Sequence, residues 1–323
     1  MDKKTRVLNA MDGLPVDRVP TAFYTHFLTP EEQKDNAVSA QIAWFNECNM
    51  DCLCIETDGY MEYPIVNTGS LNDWRGIKVH TKDHPYIAGQ LDRAKRIREG
   101  IKDGAVFFVV FTPFSTIKHT IGGEELVMDY YREDPAFVTD VMKVLEEDTF
   151  RLMDHLAQET GIDGFFVSLQ NAEWWRFGRD EYREYMAPWD TRIIDYANLL
   201  LPHSITHMCS WTGLPNQLDL WKDYNYKTVN WSLSIEKDMD FKKARGYFKP
   251  GTCLMAGFDT TPRGILYRGG EKEIKDFTKK LLDQAGQRGT ILCGDCSAQM
   301  DTDRGHIRAV AEACEEYAVQ NSM

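Results

Sequence analysis

Apolar positions along this chain follow a repeating order. A short continuous apolar run is followed by a longer stretch whose apolar residues recur every three or four positions. The short runs fall at 19–24, 50–55, 106–111, 164–169, 203–207, 228–233, 253–258 and 290–293. Several have no polar alternation, as strands covered on both faces require. Between them the spacing predicts amphipathic helices. Over 141–158, Val141, Val144, Leu145, Leu152, Met153 and Leu156 share one broad face, which is core spacing. The stretches 272–287 and 302–319 repeat the pattern. Eight strand–helix units in 323 residues predict a (β/α)8 TIM barrel, with an open doubly wound sheet as the runner-up.

The barrel is expected to occupy 1–323 as one domain. Its one long excursion spans 56–104 and carries Tyr60, Tyr63, Trp74 and Tyr86. These aromatics suit a lid over a site, or simple packing onto the barrel. No Gly/Ser-rich or Pro-rich linker interrupts the chain.

Composition narrows the function classes. Hydrophobic residues make up 43% of the chain, enough for one large core. The net charge of −13 disfavours nucleic-acid binding, which needs a basic footprint. Eight cysteines in this length do not make a disulfide framework, and Cys48, Cys52 and Cys54 read as small buried apolar residues. The first residues, Met1 to Thr5, have no apolar stretch behind them, so no signal peptide is expected. No apolar run approaches the ~18 residues of a membrane span. A reducing cytoplasm is the expected compartment.

If the strands form one barrel, the residues that end them share its active face. That face collects Tyr24 and His26, Glu56, then Gln170, Asn171, Glu173, Trp174 and Trp175. It also collects His207, Cys209 and Trp211, then Asp259, and finally Cys293 and Cys296. His207 and Cys209 lie two apart, so an extended backbone turns both to one side. With Cys296 they make a tripod of one imidazole and two thiolates, the donor set of a Zn2+ site with an open position. The bland alternative is a partly buried histidine beside two unrelated cysteines. The Cys293-Gly294-Asp295-Cys296 sequence leaves a grip through Cys293 open. Glu56, Glu173 and Asp259 are candidate fourth ligands. The charged segment 176–184 reads as a solvated helix start. Gly122-Gly123 and Gly269-Gly270 read as turns, because neither carries a phosphate-binding pattern.

Three segments carry a family resemblance. Arg6-Val7-Leu8-Asn9-Ala10 with Pro15-Val16-Asp17-Arg18-Val19-Pro20 resembles the opening of the uroporphyrinogen decarboxylase superfamily. Leu254 to Asp259 and Ile291 to Cys296 resemble its seventh and eighth strands. The resemblance runs from Arg6 to the C-terminal helix and implies the (β/α)8 barrel. Porphyrin decarboxylases of the family carry an arginine-rich segment that binds substrate carboxylates. Here Thr21-Ala22-Phe23-Tyr24-Thr25-His26 has no arginine, which argues against that activity. The zinc methyltransferase branch, similar to methylcobamide:coenzyme M methyltransferases, carries His-x-Cys and a distant Cys as metal ligands. His207, Cys209 and Cys296 match those positions. Ser210-Trp211 stands where that branch has glycine, which puts the substrate in doubt more than the metal.

The resemblance therefore implies a Zn2+-dependent methyltransferase moving a methyl group between a corrinoid and a small thiol, folate or methoxylated molecule. No Asp-x-His-x-x-Gly segment is present, so the corrinoid is expected on a separate protein. Glu173 and Asp259 are the expected catalytic carboxyls. Tyr24, His26, Glu56, Asn171, Trp174 and Trp211 are the expected substrate contacts. Trp174, Trp175, Trp211 and Trp231 suit a rim for a flat macrocycle, a partner or an aromatic substrate. Two other functions fit the fold: a metal-free decarboxylase or lyase using Asp259 or Glu173, and a non-catalytic partner of a corrinoid protein.

Overall fold

Each of the eight apolar runs overlaps a strand in the computed structural model, which describes residues 1–27, 29 and 35–321. The strands are β1 (Thr21–Ala22), β2 (Cys52–Ile55), β3 (Ala105–Phe111), β4 (Gly164–Leu169), β5 (Ile205–Met208), β6 (Thr228–Trp231), β7 (Cys253–Phe258) and β8 (Thr290–Gly294). They pair in parallel in the order β1-β8-β7-β6-β5-β4-β3-β2, a (β/α)8 TIM barrel. Between β1 and β2 the gap is bridged by Asp51 N donating to Thr21 O at 2.9 Å. The first strand is shorter than its apolar run. Pro20 has no N–H to give a ladder, and the chain leaves the sheet after Ala22.

Residues that alternate along each strand face opposite ways. Cys52, Cys54, Phe107, Val109, Phe166, Ile205, Met255, Ile291 and Cys293 fill the barrel interior. Val7, Ala10 and Met11 of the helix Lys3–Met11 join that interior cluster. Leu53, Val106, Phe108, Val167, Val229, Leu254 and Leu292 belong to the outer layer under the helices. Thus Cys52, Cys54 and Cys293 are interior packing residues, and all eight cysteines are free thiols.

The long helix Pro135–Glu159 shows how local chemistry sets an element. Asp134 caps it by accepting from Phe137 N at 3.0 Å, and Pro135 takes the first position, where no N–H is needed. Its buried face includes Val138, Val141, Leu145, Leu152 and Leu156, and one polar residue, Asp148. Asp148 accepts from Tyr63 Oη at 2.6 Å and from His80 N at 2.6 Å, which pins the excursion to the barrel. The excursion holds the helix Pro85–Gly100, and its Tyr63 and Trp74 are buried packing residues. No helix among the described residues is long and apolar enough to cross a membrane.

Two expectations need correction. Trp231 does not reach the rim. It ends β6 facing outward, fully buried against Phe241 and Phe248, with Nε1 donating to Met239 O at 3.0 Å. Arg176 is not solvated either: its side chain is fully buried and paired with Glu173 Oε2 at 3.0 Å. In the rest of that segment Phe177 and Tyr182 are buried and the other residues are exposed.

A candidate metal centre and the cavity beside it

Three donors from two strand ends converge on the C-terminal face of the barrel. The ligand atoms of His207, Cys209 and Cys296 lie within 4.8 Å of one another, the group of this kind found among the described residues. Cys209 Sγ and Cys296 Sγ are 3.9 Å apart. Two thiolates each ~2.3 Å from a tetrahedral zinc ion would sit about 3.8 Å apart, so the pair is spaced for a shared ion. The donor set is one nitrogen and two soft sulfurs, largely withdrawn from water. The residues present therefore fit zinc. Cys209 donates to Cys296 and holds the Cys296 thiol well below its ordinary range, and His207 adds to the effect.

The backbone reaches this arrangement through specific local contacts. Cys209 N donates to Leu169 O at 3.0 Å, continuing the β4–β5 ladder one residue past β5. Asn216 Nδ2 donates to Cys209 O at 3.0 Å and fixes the turn that follows. On the other side Gly294 ends β8. A Cβ there would stand 2.5 Å from Thr260 Cγ2 and 2.8 Å from Cys296 O, so glycine permits the close return that presents Cys296. Asp295 anchors that return by accepting from Leu233 N at 2.8 Å and Ser234 N at 2.9 Å.

His207 is oriented by a neighbour that strand-end reasoning overlooks. Asn230 pairs with it across β5 and β6, and His207 Nδ1 lies 2.5 Å from Asn230 Oδ1. Asn230 Nδ2 donates to Met255 O at 2.8 Å, so the amide oxygen must face the imidazole and accept from it. Nδ1 thus carries the hydrogen, and Nε2 keeps its lone pair for a metal. The ring also stacks on Phe166 and meets Tyr24 edge-on. Asn230→Leu is expected to weaken metal binding by about 10–100-fold, measured by competition with a chromogenic chelator.

A cavity of about 260 Å³ opens beside the three donors. It brings together the expected residues Tyr24, His26, Glu56 and Trp211 with His207, Cys209 and Cys296. It adds Met61 from the excursion and Val109, Phe111, Phe166, Ser168 and Gln170 from β3, β4 and the residue beyond. His119, from the helix Pro113–Ile121, completes one wall, its ring 4.6 Å from that of Phe111. Period two along β3 and β4 places Val109, Phe111, Phe166 and Ser168 inward, a signal present in the sequence.

Other expected residues lie elsewhere. Glu173 is fully buried in its pair with Arg176, outside the cavity lining. Asp259 lines a separate cleft of about 760 Å³ between the loops after β5, β6 and β7. Asn171 is buried, with Nδ2 donating to Ser115 Oγ at 3.1 Å and a left-handed backbone at φ 72°. Trp174 is 71% exposed on the loop after β4, and Trp175 flanks it with Arg176 over its ring.

Charge in the cavity is uneven. His26 Nδ1 lies 2.7 Å from Asp58 Oδ1 and 3.7 Å from Glu56 Oε2. Burial pushes His26 down, but Glu56 and Asp58 outweigh it and raise the imidazole to about 9. Burial pushes Glu56 up to about 8. Burial and the nearby Lys118 charge lower His119 to about 3, so its imidazole is neutral. Lys118 stands behind this wall, bonded to Gln170 Oε1 and 4.5 Å from the centre of the Trp211 ring.

Comparison with known proteins gives the family and the fold. Two curated relatives, each named methylcobamide:CoM methyltransferase MtbA, come from Methanosarcina mazei and Methanosarcina acetivorans. They are 22% and 20% identical to this chain, over 97% of it and 98% of each relative. A solved methyltransferase from Methanosarcina mazei superposes with a TM-score of 0.78 at 16% identity, covering 98% of this chain and 99% of the other. A glycoside hydrolase of family GH5_18 from Streptomyces cattleya shares the barrel at a TM-score of 0.59 and 13% identity, over 93% of this chain and 80% of its own. That likeness shows that the fold by itself does not select a chemistry. The family model described as uroporphyrinogen decarboxylase (URO-D) matches residues 57–317, most of the chain. The chain belongs to the uroporphyrinogen decarboxylase family.

Proposed function

We propose that this protein is a Zn2+-dependent methyltransferase that moves a methyl group between a corrinoid and a small molecule bound in the 260 Å³ cavity. The observation that carries the reading is the convergence of His207, Cys209 and Cys296 on one wall of that cavity. The relatives named methylcobamide:CoM methyltransferase support methyl transfer and a corrinoid, which a separate protein would bring. His207 Nε2, Cys209 Sγ and Cys296 Sγ would hold the zinc. Bound zinc supplies either a thiol held as thiolate or withdrawal of electrons from a donor heteroatom.

The chain's own residues do the rest. Asn230 holds His207 in one tautomer. Tyr24, Phe111, Phe166 and Trp211 give the cavity aromatic walls that exclude water. Trp211 is 44% exposed, so it belongs both to the cavity and to the surface around it. With the exposed Trp174 and Trp175 it offers flat apolar area for a macrocycle presented by a partner. Glu173 pairs with Arg176, whose guanidinium lies over the Trp175 ring, and so helps to fix the loop that carries Trp174 and Trp175. The metal-free decarboxylase alternative needs Glu173 or Asp259 beside the substrate, and neither lines the cavity. The free cysteines suit a reducing compartment, and we place the protein in the cytoplasm.

The test is methyl transfer from methylcobalamin to thiols, followed by the cobalamin spectrum. Zinc-loaded protein is expected to turn over, and protein stripped by a chelator is expected to stop and to recover on adding zinc. Zinc-loaded protein that neither methylates a thiol nor demethylates a small ether, amine or thioether would overturn the assignment.

A further inference from the structure

We propose that the cavity wall formed by Glu56 selects small molecules that carry a cationic, ammonium-type head, and rejects those with an anionic tail. Three observations lead there. First, among the described residues the cavity lining contains neither lysine nor arginine, and its one carboxyl group is Glu56. Second, Glu56 is 3% exposed, and its Oε1 has no hydrogen-bond partner among the described residues. A buried carboxylate oxygen left in that condition is a strong acceptor waiting for a donor.

Third, the neighbouring charges are already matched. His26 is held by Asp58 at 2.7 Å, and Asp58 Oδ2 accepts from Phe27 N at 2.8 Å. His26 and Asp58 therefore balance each other. Zinc with the Cys209 and Cys296 thiolates would also balance to zero. Glu56, which burial raises to about 8, is largely the neutral acid at neutral pH; an ammonium head would supply the counter-charge that ionises it, and an anionic tail would gain no such partner from Glu56. The rings of Tyr24, Phe111 and Phe166 line the same cavity, and aromatic rings attract an ammonium group. His119 Nε2, also unpartnered among the described residues, gives the same wall a neutral polar contact. A cavity of about 260 Å³ lies just below the ~300–1,000 Å³ common for drug-sized ligands, so the molecule is small.

Naming this molecule a methyl donor or acceptor rests on the methyl-transfer reading. Its charge preference rests on Glu56 and is tested separately, by equilibrium binding. Three thiols of equal reach serve as probes: 2-aminoethanethiol, 2-mercaptoethanol and 2-mercaptoethanesulfonate. Each is titrated calorimetrically into zinc-loaded wild type and Glu56→Gln. Wild type is expected to bind the ammonium thiol at least about tenfold more tightly than the sulfonate, since only the ammonium can pair with the Glu56 carboxyl and hold it ionised in a desolvated site. Glu56→Gln is expected to erase that ratio while keeping its zinc. An equal or reversed ratio in wild type overturns the proposal. So does a ratio that survives in Glu56→Gln, or failure of all three thiols to bind at millimolar concentration. Should Glu56→Gln not fold, the wild-type ratio decides alone. Selective binding without turnover would sink the methyl-transfer reading and leave this proposal standing.

Discussion

Cys296→Ala and His207→Ala are each expected to purify nearly free of zinc, against about one zinc per chain in the wild type, and to lose methyl transfer. A ligand that merely orients another costs about 10–100-fold in metal affinity, and a donor to the ion itself costs more. Two remaining donors leave an open, solvated half-site. Cys209→Ala should behave alike, because its sulfur stands 3.9 Å from that of Cys296 and shares the ion with it. Cys293→Ala is the informative control. Cys293 is fully buried in β8 opposite Ala22 and Gly257, inside the barrel. That variant should keep its zinc and lose only stability, about 1 kcal/mol for a small interior void. Elemental analysis of the four variants after dialysis decides the matter. Zinc lost in Cys293→Ala but kept in Cys296→Ala would move the grip to Cys293 and discard the tripod. The tripod variants should also unfold at a lower temperature than zinc-loaded wild type, because an ion that binds only the folded chain stabilises it.

The barrel was readable because each strand is a continuous apolar run between amphipathic helices, and the βα order leaves few alternatives. The metal donors were readable for a related reason. His207, Cys209 and Cys296 follow strands closely, so strand ends alone put them on one face. Tyr24, His26, Glu56 and Trp211 were found the same way. The method falters one turn further on, where contacts between loops direct the chain. Glu173 and Asp259 also follow strands, yet Glu173 turns to Arg176 and Asp259 faces the neighbouring cleft. Trp231 shows the converse limit: one residue of phase on β6 decides between interior and exterior. Asn230, one place earlier, was invisible because its role depends on the register that sets it opposite His207. Phe111 and Phe166 carry the period two of their strands, but a nearly continuous apolar run does not say which phase faces inward. His119 sits on a helix, outside any list of strand ends.

Asp51→Ala is expected to be the most destabilising single change outside the interior packing. The segment that carries the family resemblance, Arg6 with Asp17 and Arg18, folds onto this one carboxylate at the N-terminal end of the barrel. Arg6 Nη1 donates to Asp51 Oδ1 at 2.6 Å. Arg18 Nη1 donates to Oδ2 at 2.7 Å, and Arg18 Nη2 to Oδ1 at 3.0 Å. Thr21 N donates to Oδ2 at 2.8 Å, while Asp51 N donates to Thr21 O, so the same residue bridges β1 and β2 where the ladder is thinnest. The Asp51 side chain is 0% exposed and that of Arg18 is 6% exposed. Removing Asp51 leaves Arg18 buried with Val19 O at 3.2 Å and the half-exposed Glu315 at 3.3 Å, and cuts Arg6 back to Asp17 and Met1 O. Breaking a buried pair from one side costs about 3–5 kcal/mol. Asp17→Ala should cost far less, since Asp17 is 40% exposed and Arg6 keeps Asp51. Pairing Asp51→Leu with Arg18→Met should recover part of the loss, because the uncompensated charge disappears with its partner. Urea unfolding of the three variants measures each term. A loss in Asp51→Ala no larger than in Asp17→Ala would show that the barrel closes without this clamp. The folded fraction of Asp51→Ala should still bind zinc, since the clamp and the metal centre occupy opposite ends of the strands.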